Sequence, residues 1–418
     1  MQKKMMILGA SALQIPAIQK AKELGFQIIL VDYDENAPGF PLADVKLVVS
    51  TLDQEEVYRQ ALIYQPDVVI TSTSDGPVRT AAYVNERLGK TPDLSYEDSL
   101  CATIKSYMRD RLKENGVPIP AYYAVHDFEE LKKAVGELKG YCIVKPADNA
   151  GSRGVVLVDV RNSGGQAADS KKEVTDLIEI DNDKLKEIYE YSKSNSRNGI
   201  VMAEEFMTGA EVSVESMTVN GETTIVTITD KFITPPPYFV ELGHSQPSEL
   251  PEDIKTAIRK VTLQAVKAIR LQNGPSHTEI KVTESGPKIV EIAARLGGDF
   301  ITSKLVPLST GVDMVGSSVL LAAGEKTDLT SRWERGSAIR FISGIPGIIK
   351  RIVVVEDIHA LEGLEEFVLY KKAGDVINGT KSSNDRLGYV IASGKTAREA
   401  TDTAIKALKF IHIDMEEE

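Results

Sequence analysis

Two glutamates twelve residues apart, in Thr278-Glu279-Ile-Lys-Val-Thr-Glu-Ser-Gly-Pro-Lys-Ile-Val-Glu291-Ile292, are the most informative pair in the 418-residue chain. The alternating pattern around Ser285-Gly286 predicts a hairpin, in which Glu279, Lys281 and Thr283 share one face and Ile280 and Val282 the other. A turn of three or five residues would set Glu279 directly opposite Glu291. Two carboxylates opposed on one sheet face repel, and the arrangement makes sense with a hard divalent cation between them; magnesium carrying polyphosphate is the natural choice. A solvent-exposed polar face, one residue out of register, is the alternative.

Arg295 follows in Ala293-Ala-Arg-Leu-Gly297-Gly298-Asp299. A guanidinium beside a metal site can grip carboxylate or phosphate in two-pronged fashion, and the two glycines allow backbone amides to approach an anion closely. Upstream, Tyr141-Cys-Ile-Val-Lys145-Pro is an apolar strand ending in a lysine. It leads into Asp148-Asn-Ala-Gly-Ser152-Arg-Gly154 and then the strand Val155 to Val158. A glycine-rich loop between strands can close over phosphates while the lysine supplies a point charge. It lacks GK[ST] and a following helix, so it is no Walker A loop; a surface hairpin is the plainer reading. Between these, Ile200-Val-Met-Ala-Glu204-Glu205-Phe206-Met207-Thr-Gly-Ala-Glu211 offers an apolar slot with edge donors and acceptors for an adenine, and acids for ribose hydroxyls, or else a simple strand edge.

These groups need elements to hold them. The first hundred residues alternate strands (Met5 to Leu8, Gln27 to Val31, Lys46 to Ser50, Asp67 to Thr71) with helices (Ile15 to Leu24, Gln54 to Tyr64), which implies a doubly wound parallel sheet. Ligands sit beyond the carboxyl ends of such strands, so Gly9 to Ala12, Asp32 to Asp34 and Ser72 to Asp75 form the functional rim. Gly9-Ala-Ser-Ala lacks the later glycines of a dinucleotide fingerprint. A helix over Lys105 to Asn115 stops at Gly116-Val-Pro-Ile-Pro. The polar stretch Arg161 to Asn198, with one helical segment near Lys184 to Tyr191, reads as a mobile insertion on a small central domain. Asn220-Gly221 marks a hairpin between Val212 to Val219 and Thr223 to Thr229. An amphipathic helix spans about Glu252 to Arg270. Short strands (Gly336 to Phe341, Ile348 to Val355, Tyr389 to Ser393) and a helix over Thr396 to Leu408 make an α+β carboxy-terminal part. The expected division is 1–100, 101–325 with a small mobile subdomain at about 120–200, and 326–418.

With 42% hydrophobic and 26% charged residues the chain has the composition of a globular protein of two to four domains. A net charge of −12 excludes non-specific binding to nucleic acid or anionic membranes. Cys101 and Cys142 form no metal or redox motif and fit a reducing compartment as small buried hydrophobes. Met1 to Gly9 lacks the apolar core and cleavage site of a signal peptide, and no apolar run approaches the roughly 18 residues of a membrane span. A cytoplasmic protein is expected.

In this order, Lys105, Lys145-Pro, Asn149-Ala-Gly-Ser152-Arg-Gly, Glu204-Glu-Phe-Met-x-Gly-x-Glu211, Glu279 and Glu291-Ile-Ala-Ala-Arg295-Leu-Gly-Gly resemble the ATP-grasp superfamily over about residues 100 to 320. The first hundred residues look like the domain that precedes ATP-grasp modules in biotin carboxylase, carbamoyl-phosphate synthetase and the purine-pathway ligases. The resemblance implies an ADP-forming ligase that joins a carboxylate to an amine through an acyl phosphate, using ATP and Mg2+ or Mn2+. By position, Lys105 and Lys145 would contact phosphates with the loop of Ser152. Glu204, Glu205, Phe206 and Met207 would hold adenine, Glu211 ribose, and Glu279 and Glu291 the metal. Arg295 would steady the acyl phosphate, with Gly297 and Gly298 beside it. The family often has Asn two residues after the second metal glutamate; this chain has Ala293, leaving a coordination position to water. The Ala-Ala-Arg-Leu-Gly-Gly variant, Pro235 to His244 and Gly274-Pro-Ser-His277 look most like L-amino acid ligases, which makes His244 and His277 acceptor-site residues or structural histidines. Partners would be small-molecule carboxylates and amines, with a homodimer plausible. A purine-pathway activity such as phosphoribosylamine-glycine ligase, or a non-catalytic ATP-binding protein, are the alternatives.

Overall fold

The computed structural model describes residues 2–90, 93–149, 153–159, 182–235, 239–355 and 358–416. The amino-terminal sheet is parallel, in the order Val45–Val48, Gln27–Asp32, Lys4–Leu8, Val68–Ile70. Its central strand Lys4–Leu8 is buried on both faces from Met5 onward, as a strand covered by crossover helices must be. Helix Ile15–Glu23 buries Ala17, Ile18 and Ala21 on one face, and Gln54–Tyr64 on the other is capped by the Asp53 carboxylate, which accepts from Glu56 N–H. A helix that the sequence reading left out, Gly76–Arg87, starts directly behind the Ser72 to Asp75 rim. Its Gly76-Pro77 opening reads as a turn, yet proline is well suited to a first helical turn, where its missing N–H costs no hydrogen bond.

The small central sheet is antiparallel, ordered Tyr122–Val125, Val201–Glu205, Tyr141–Pro146, Val156–Asp159. Helices Phe128–Leu138 and Asn182–Ser194 pack on it through Leu131, Val135, Leu185 and Ile188, against Cys142 and Val144. The expected mobile insertion falls largely on residues 160–181, outside the described residues; its helical segment is Asn182–Ser194.

An eight-stranded sheet forms the body of the molecule, in the order Gly286–Ala293, Gly274–Thr283, Ala210–Val219, Glu222–Ile233, Glu241–Gln246, Gly336–Ile342, Gly388–Gly394, Leu364–Leu369. Strands from beyond residue 325 thus extend the sheet of the preceding segment: Gly336–Ile342 pairs antiparallel with Glu241–Gln246. Asn220 and Gly221 both have positive φ, as the tight hairpin there requires. Helix Glu252–Ala268 covers one face through Ile258 and Ala265, packed with Val212, Val214, Ile280 and Ile292. Helix Met314–Ala322 docks the other region to the amino-terminal sheet, where Met314 and Val319 share a core with Ile18, Leu30 and Met217. A three-stranded sheet, Val376–Ile377, Gly347–Val354 and Ile411–Met415, with helix Ala397–Leu408, completes the carboxy-terminal part. Cys101 and Cys142 are buried free thiols. Among the described residues no single helix is long and apolar enough to cross a membrane.

Candidate active site

The hairpin places Glu279 directly opposite Glu291, by a route other than a longer turn. Only Glu284 and Ser285 separate Thr283 from its partner Gly286, and a bulge after Glu279 absorbs one extra residue, so that Ile280 faces Ile289 while Glu279 faces Glu291. The bulge also keeps Ile280 and Ile289 fully buried while both carboxylates line a cavity. Their mutual repulsion is offset by lysines. Lys231 Nζ lies 3.1 Å from Glu279 Oε1 and 2.8 Å from Glu211 Oε1, and Lys105 Nζ donates to Glu291 Oε1 at 2.9 Å. Burial would lower the pKa of both lysines, but the facing carboxylates override it and hold them charged.

Lys145, at the end of its strand, is set by a fully buried ion-pair triad. The Arg109 guanidinium grips Glu204 with two hydrogen bonds, Nε to Oε1 at 2.8 Å and Nη2 to Oε2 at 3.0 Å, and Lys145 Nζ sits 2.6 Å from the same Oε2. Arg109 also donates to the carbonyls of Ile289 and Val290, tying the helix Lys105–Glu114 to the Glu279–Glu291 hairpin. Burial would raise the Glu204 pKa, but Arg109 and Lys145 pull it down to about 2. For Lys145 burial dominates and lowers its pKa, with Glu204 opposing. The Glu204 carboxylate is therefore engaged in orienting a lysine.

A cavity of about 240 Å³ collects Lys105, Lys145, Glu204, Glu205, Phe206, Met207, Glu211, His277, Glu279, Glu291 and Arg295 on its wall. Ile143, Val155, Phe206, Met207, Ile233, Phe239 and Val290 make one end apolar, with Phe206 and Phe239 ring centres 6.0 Å apart. Glu205 is held by Lys288 and Ala121 N–H, and Glu211 by Lys231 and Lys281. Arg295 Nε donates to Asp75 Oδ1 at 2.7 Å, which joins the rim of the parallel sheet to the hairpin. Ser152 lies outside the described residues.

The structure does not bring His244, Gly297 or Gly298 to this wall. His244 is buried with its Nε2 3.3 Å from Asp299 Oδ2, and Arg386 Nη1 donates to the other Asp299 oxygen at 2.8 Å. Burial would raise the Asp299 pKa, but His244 and Arg386 lower it. Asp299 and Phe300 both adopt left-handed backbone, uncommon for such residues, and this pair of contacts holds the strained turn. Gly297 acts through absence of a side chain: a Cβ there would lie 2.6 Å from Glu215 Oε2 and 2.9 Å from His277 Nδ1. Those two residues form a buried pair, Nδ1 to Glu215 Oε1 at 2.7 Å, and His277 Nε2 reaches to 3.5 Å from Glu279 Oε1. Burial alone would depress His277, but the Glu215 charge and hydrogen bond, with Glu279, raise its pKa to about 9.

Sequence reasoning passed over Arg109, Glu215 and Lys231. Arg109 sits in a helix where it looks like surface charge, and Glu215 alternates with apolar residues like any half-exposed strand acid. Lys231 lies beyond Thr229, where the hairpin strand was expected to end; the strand runs on to Ile233. A charged residue within a strand is the only signal that Glu215 and Lys231 offered, and Arg109 offered none.

The opposed carboxylates suit a hard divalent cation, since they supply two oxygen donors on one face and leave the remaining positions to water and phosphate oxygens, the usual division for magnesium. Among the described residues no cluster of three His, Cys, Asp or Glu forms a closed metal site.

Comparison with known proteins bears on this geometry. Residues 138–303 match the ATP-grasp domain family and residues 340–416 match the L-amino acid ligase C-terminal domain 2. Residues 138–303 thus match a domain family whose enzymes use ATP and a divalent metal. Within it, the chain is 25% identical to the L-arginine-specific L-amino acid ligase of Bacillus subtilis over 357 residues, 82% of this chain and 80% of that one. It is 30% identical to the alanine–anticapsin ligase of Bacillus subtilis strain 168 over 257 residues, 58% of this chain and 51% of that one. The chain spans between about half and four fifths of the length of the first three curated relatives it matches. The crystal structure of an L-amino acid ligase from Bacillus licheniformis superposes with a TM-score of 0.80 at 22% identity, covering 100% of this chain and 99% of that one, which shows the shared fold.

Proposed function

We propose that the protein is a magnesium-dependent, ADP-forming ligase that joins a small-molecule carboxylate to an amine, forming an amide or peptide bond. The observation that carries this reading is the convergence of Lys105, Lys145 and Arg295 on one cavity around the opposed Glu279 and Glu291. A carboxylate is a poor electrophile at neutral pH, and phosphorylation by ATP gives it a leaving group that an amine can displace. Glu279 and Glu291 would hold the magnesium, which neutralises charge on the transferring phosphoryl group. Lys105 and Lys145 add positive charge beside it, and Arg295, held by Asp75, presents its remaining N–H groups to the developing acyl oxygens. The apolar end between Ile143, Phe206 and Phe239 takes the adenine, and Glu211 the ribose. The glycine-rich segment that includes Ser152 closes over the phosphates in the same reading.

The match to an L-amino acid ligase carboxy-terminal domain favours amino acid substrates over the purine-pathway alternative. A cytoplasmic protein acting without nucleic acid or membrane is part of this reading, supported by two free cysteines and the acidic charge, and a homodimer enters it only through the family resemblance.

The test is ADP release from ATP and magnesium against a panel of amino acids, dipeptides, glycine plus phosphoribosylamine, and bicarbonate, with Glu291→Ala alongside. Release that requires one carboxylate and amine pair and falls at least about a hundredfold in the variant is the expected result. ATP binding without release for any pair would overturn the reading.

A further inference from the structure

Beside the nucleotide cavity lies a second one of about 530 Å³, which shares Asp75, Lys105, Asn149, Arg153 and Glu291 with it. Its walls come from three parts of the fold: the rim of the parallel sheet, the central segment around Asp148 and Arg197, and Ser382 to Asn384 of the carboxy-terminal part. The shared residues mark where chemistry would occur, and the unshared wall is where the rest of a substrate must fit.

The charges on that wall are unequally matched. Asp75 is held by Arg295, Glu291 by Lys105, and Asp148 accepts from Ser196 Oγ and from the backbone N–H groups of Arg197 and Asn198. Its acids are thus all engaged. Arg79, half-buried in helix Gly76–Arg87, has no hydrogen bond or ion pair from its side chain among the described residues. Arg197, at the exposed mouth, spends one N–H on a neutral carbonyl, that of Asp148 at 3.3 Å, and has no carboxylate partner among the described residues. It faces the same helix: a Cβ on Gly76 would lie 3.9 Å from Arg197 Nη1. The enclosed Arg109, Arg111, Arg295 and Arg386 are each paired with a carboxylate, and the buried Arg340 is satisfied by two backbone carbonyls and the Phe232 ring, whereas the Arg79 side chain has no such partner among the described residues.

We propose that the co-substrate occupying this second cavity carries an anionic group of its own, a carboxylate or a phosphate, seated between Arg79 and Arg197. The proposal rests on the ligase reading for the word co-substrate, but the anion site stands on the cavity and its two guanidinium groups. Guanidinium is shaped to bind both oxyanions through paired N–H groups, and a partly desolvated one gains most from a counter-charge. Arg79 lies four residues along the helix from Asp75, about 6 Å or one turn, so the anionic group sits roughly one helical turn from the Asp75–Arg295 pair at the reacting end. A neutral amine would leave the half-buried Arg79 without a partner.

The experiment is calorimetric titration of the full chain, with ADP and magnesium present, by three matched pairs: L-alanine and L-alaninamide, L-glutamate and L-glutamine, O-phospho-L-serine and L-serine. Arg79→Gln, Arg79→Lys and Arg197→Gln are titrated in parallel, with nucleotide binding used to show that each variant is folded. In at least one pair the member with the additional oxyanion should bind about tenfold or more tightly than the member that lacks it. Arg79→Gln should remove most of that preference, and Arg79→Lys should restore part of it. The pair that responds distinguishes an α-carboxylate, a side-chain carboxylate and a phosphate. Equal binding within every pair, tighter binding of the neutral members, or a preference that survives both glutamine variants would overturn the proposal. ADP release with the same pairs separates the two readings. Preference in binding with no release for any carboxylate and amine combination of the wider panel sinks the ligase and keeps the anion site, whereas release that is equally fast with both members of every pair does the reverse.

Discussion

Arg109 has no exposed surface, and everything about its charge is settled by Glu204 and two backbone carbonyls. A buried ion pair of this kind adds little net stability, because desolvation consumes most of the Coulombic gain, but breaking it strands a charge in a dry site. Arg109→Leu should therefore cost about 3–5 kcal/mol, read as a lowered urea midpoint, and should also disturb Lys145, which shares the Glu204 carboxylate. The same carboxylate predicts a pH dependence. Its folded pKa of about 2 lies below the ordinary 4.5, so the stability it contributes is fully present above pH 4.5 and is lost as pH falls towards 2. On the order of 3 kcal/mol is at stake. Denaturation midpoints measured across pH 2 to 6 should show a steeper acid limb in the wild type than in Glu204→Gln; parallel limbs would remove Glu204 from the account.

At the scale of elements, the Glu279–Glu291 hairpin and the glycine turn after it act together. The bulge between Glu279 and Ile280 sets the carboxylates opposite each other, and Gly297 leaves the space that the Glu215–His277 pair needs behind them. Gly297→Ala should push on both groups and destabilise the protein by about 1–3 kcal/mol, the usual cost of overpacking, with a higher magnesium concentration needed for activity as the functional sign. Gly298 has open space around its would-be Cβ, so Gly298→Ala is the control. If the two alanine variants melt alike and need the same magnesium concentration, the close approach at Gly297 has no consequence.

Across the whole molecule, the cavity proposed for ATP draws its walls from the small central sheet, the eight-stranded sheet and the helix Lys105–Glu114. A ligand that bridges these parts binds only their assembled form, so ATP with magnesium at a hundred times its dissociation constant should stabilise the fold by about 2.7 kcal/mol. A thermal shift with ATP and magnesium that shrinks in Glu279→Gln is the expected observation, and an equal shift with EDTA in place of the metal would contradict the metal site.

The sequence by itself determined what depends on neighbours along the chain. Alternation and turn chemistry located the Glu279 to Glu291 hairpin and the Asn220-Gly221 hairpin, helical pattern located Gln54–Tyr64, the Gly116 and proline stop bounded Lys105–Glu114, and apolar runs between helices implied the parallel sheet. Such signals survive because hydrogen-bond geometry and side-chain period are local. Tertiary structure alone decided which charges meet. Lys231 reaches Glu279 across two intervening strand pairings, Arg109 finds Glu204 ninety-five residues away, and the strands beyond residue 325 join the sheet that the earlier segment began. His244 was placed behind the turn of Asp299 rather than on the cavity wall for the same reason. A buried charge takes whatever counter-charge the fold brings within about 3 Å, and spacing along the chain carries no information about that distance.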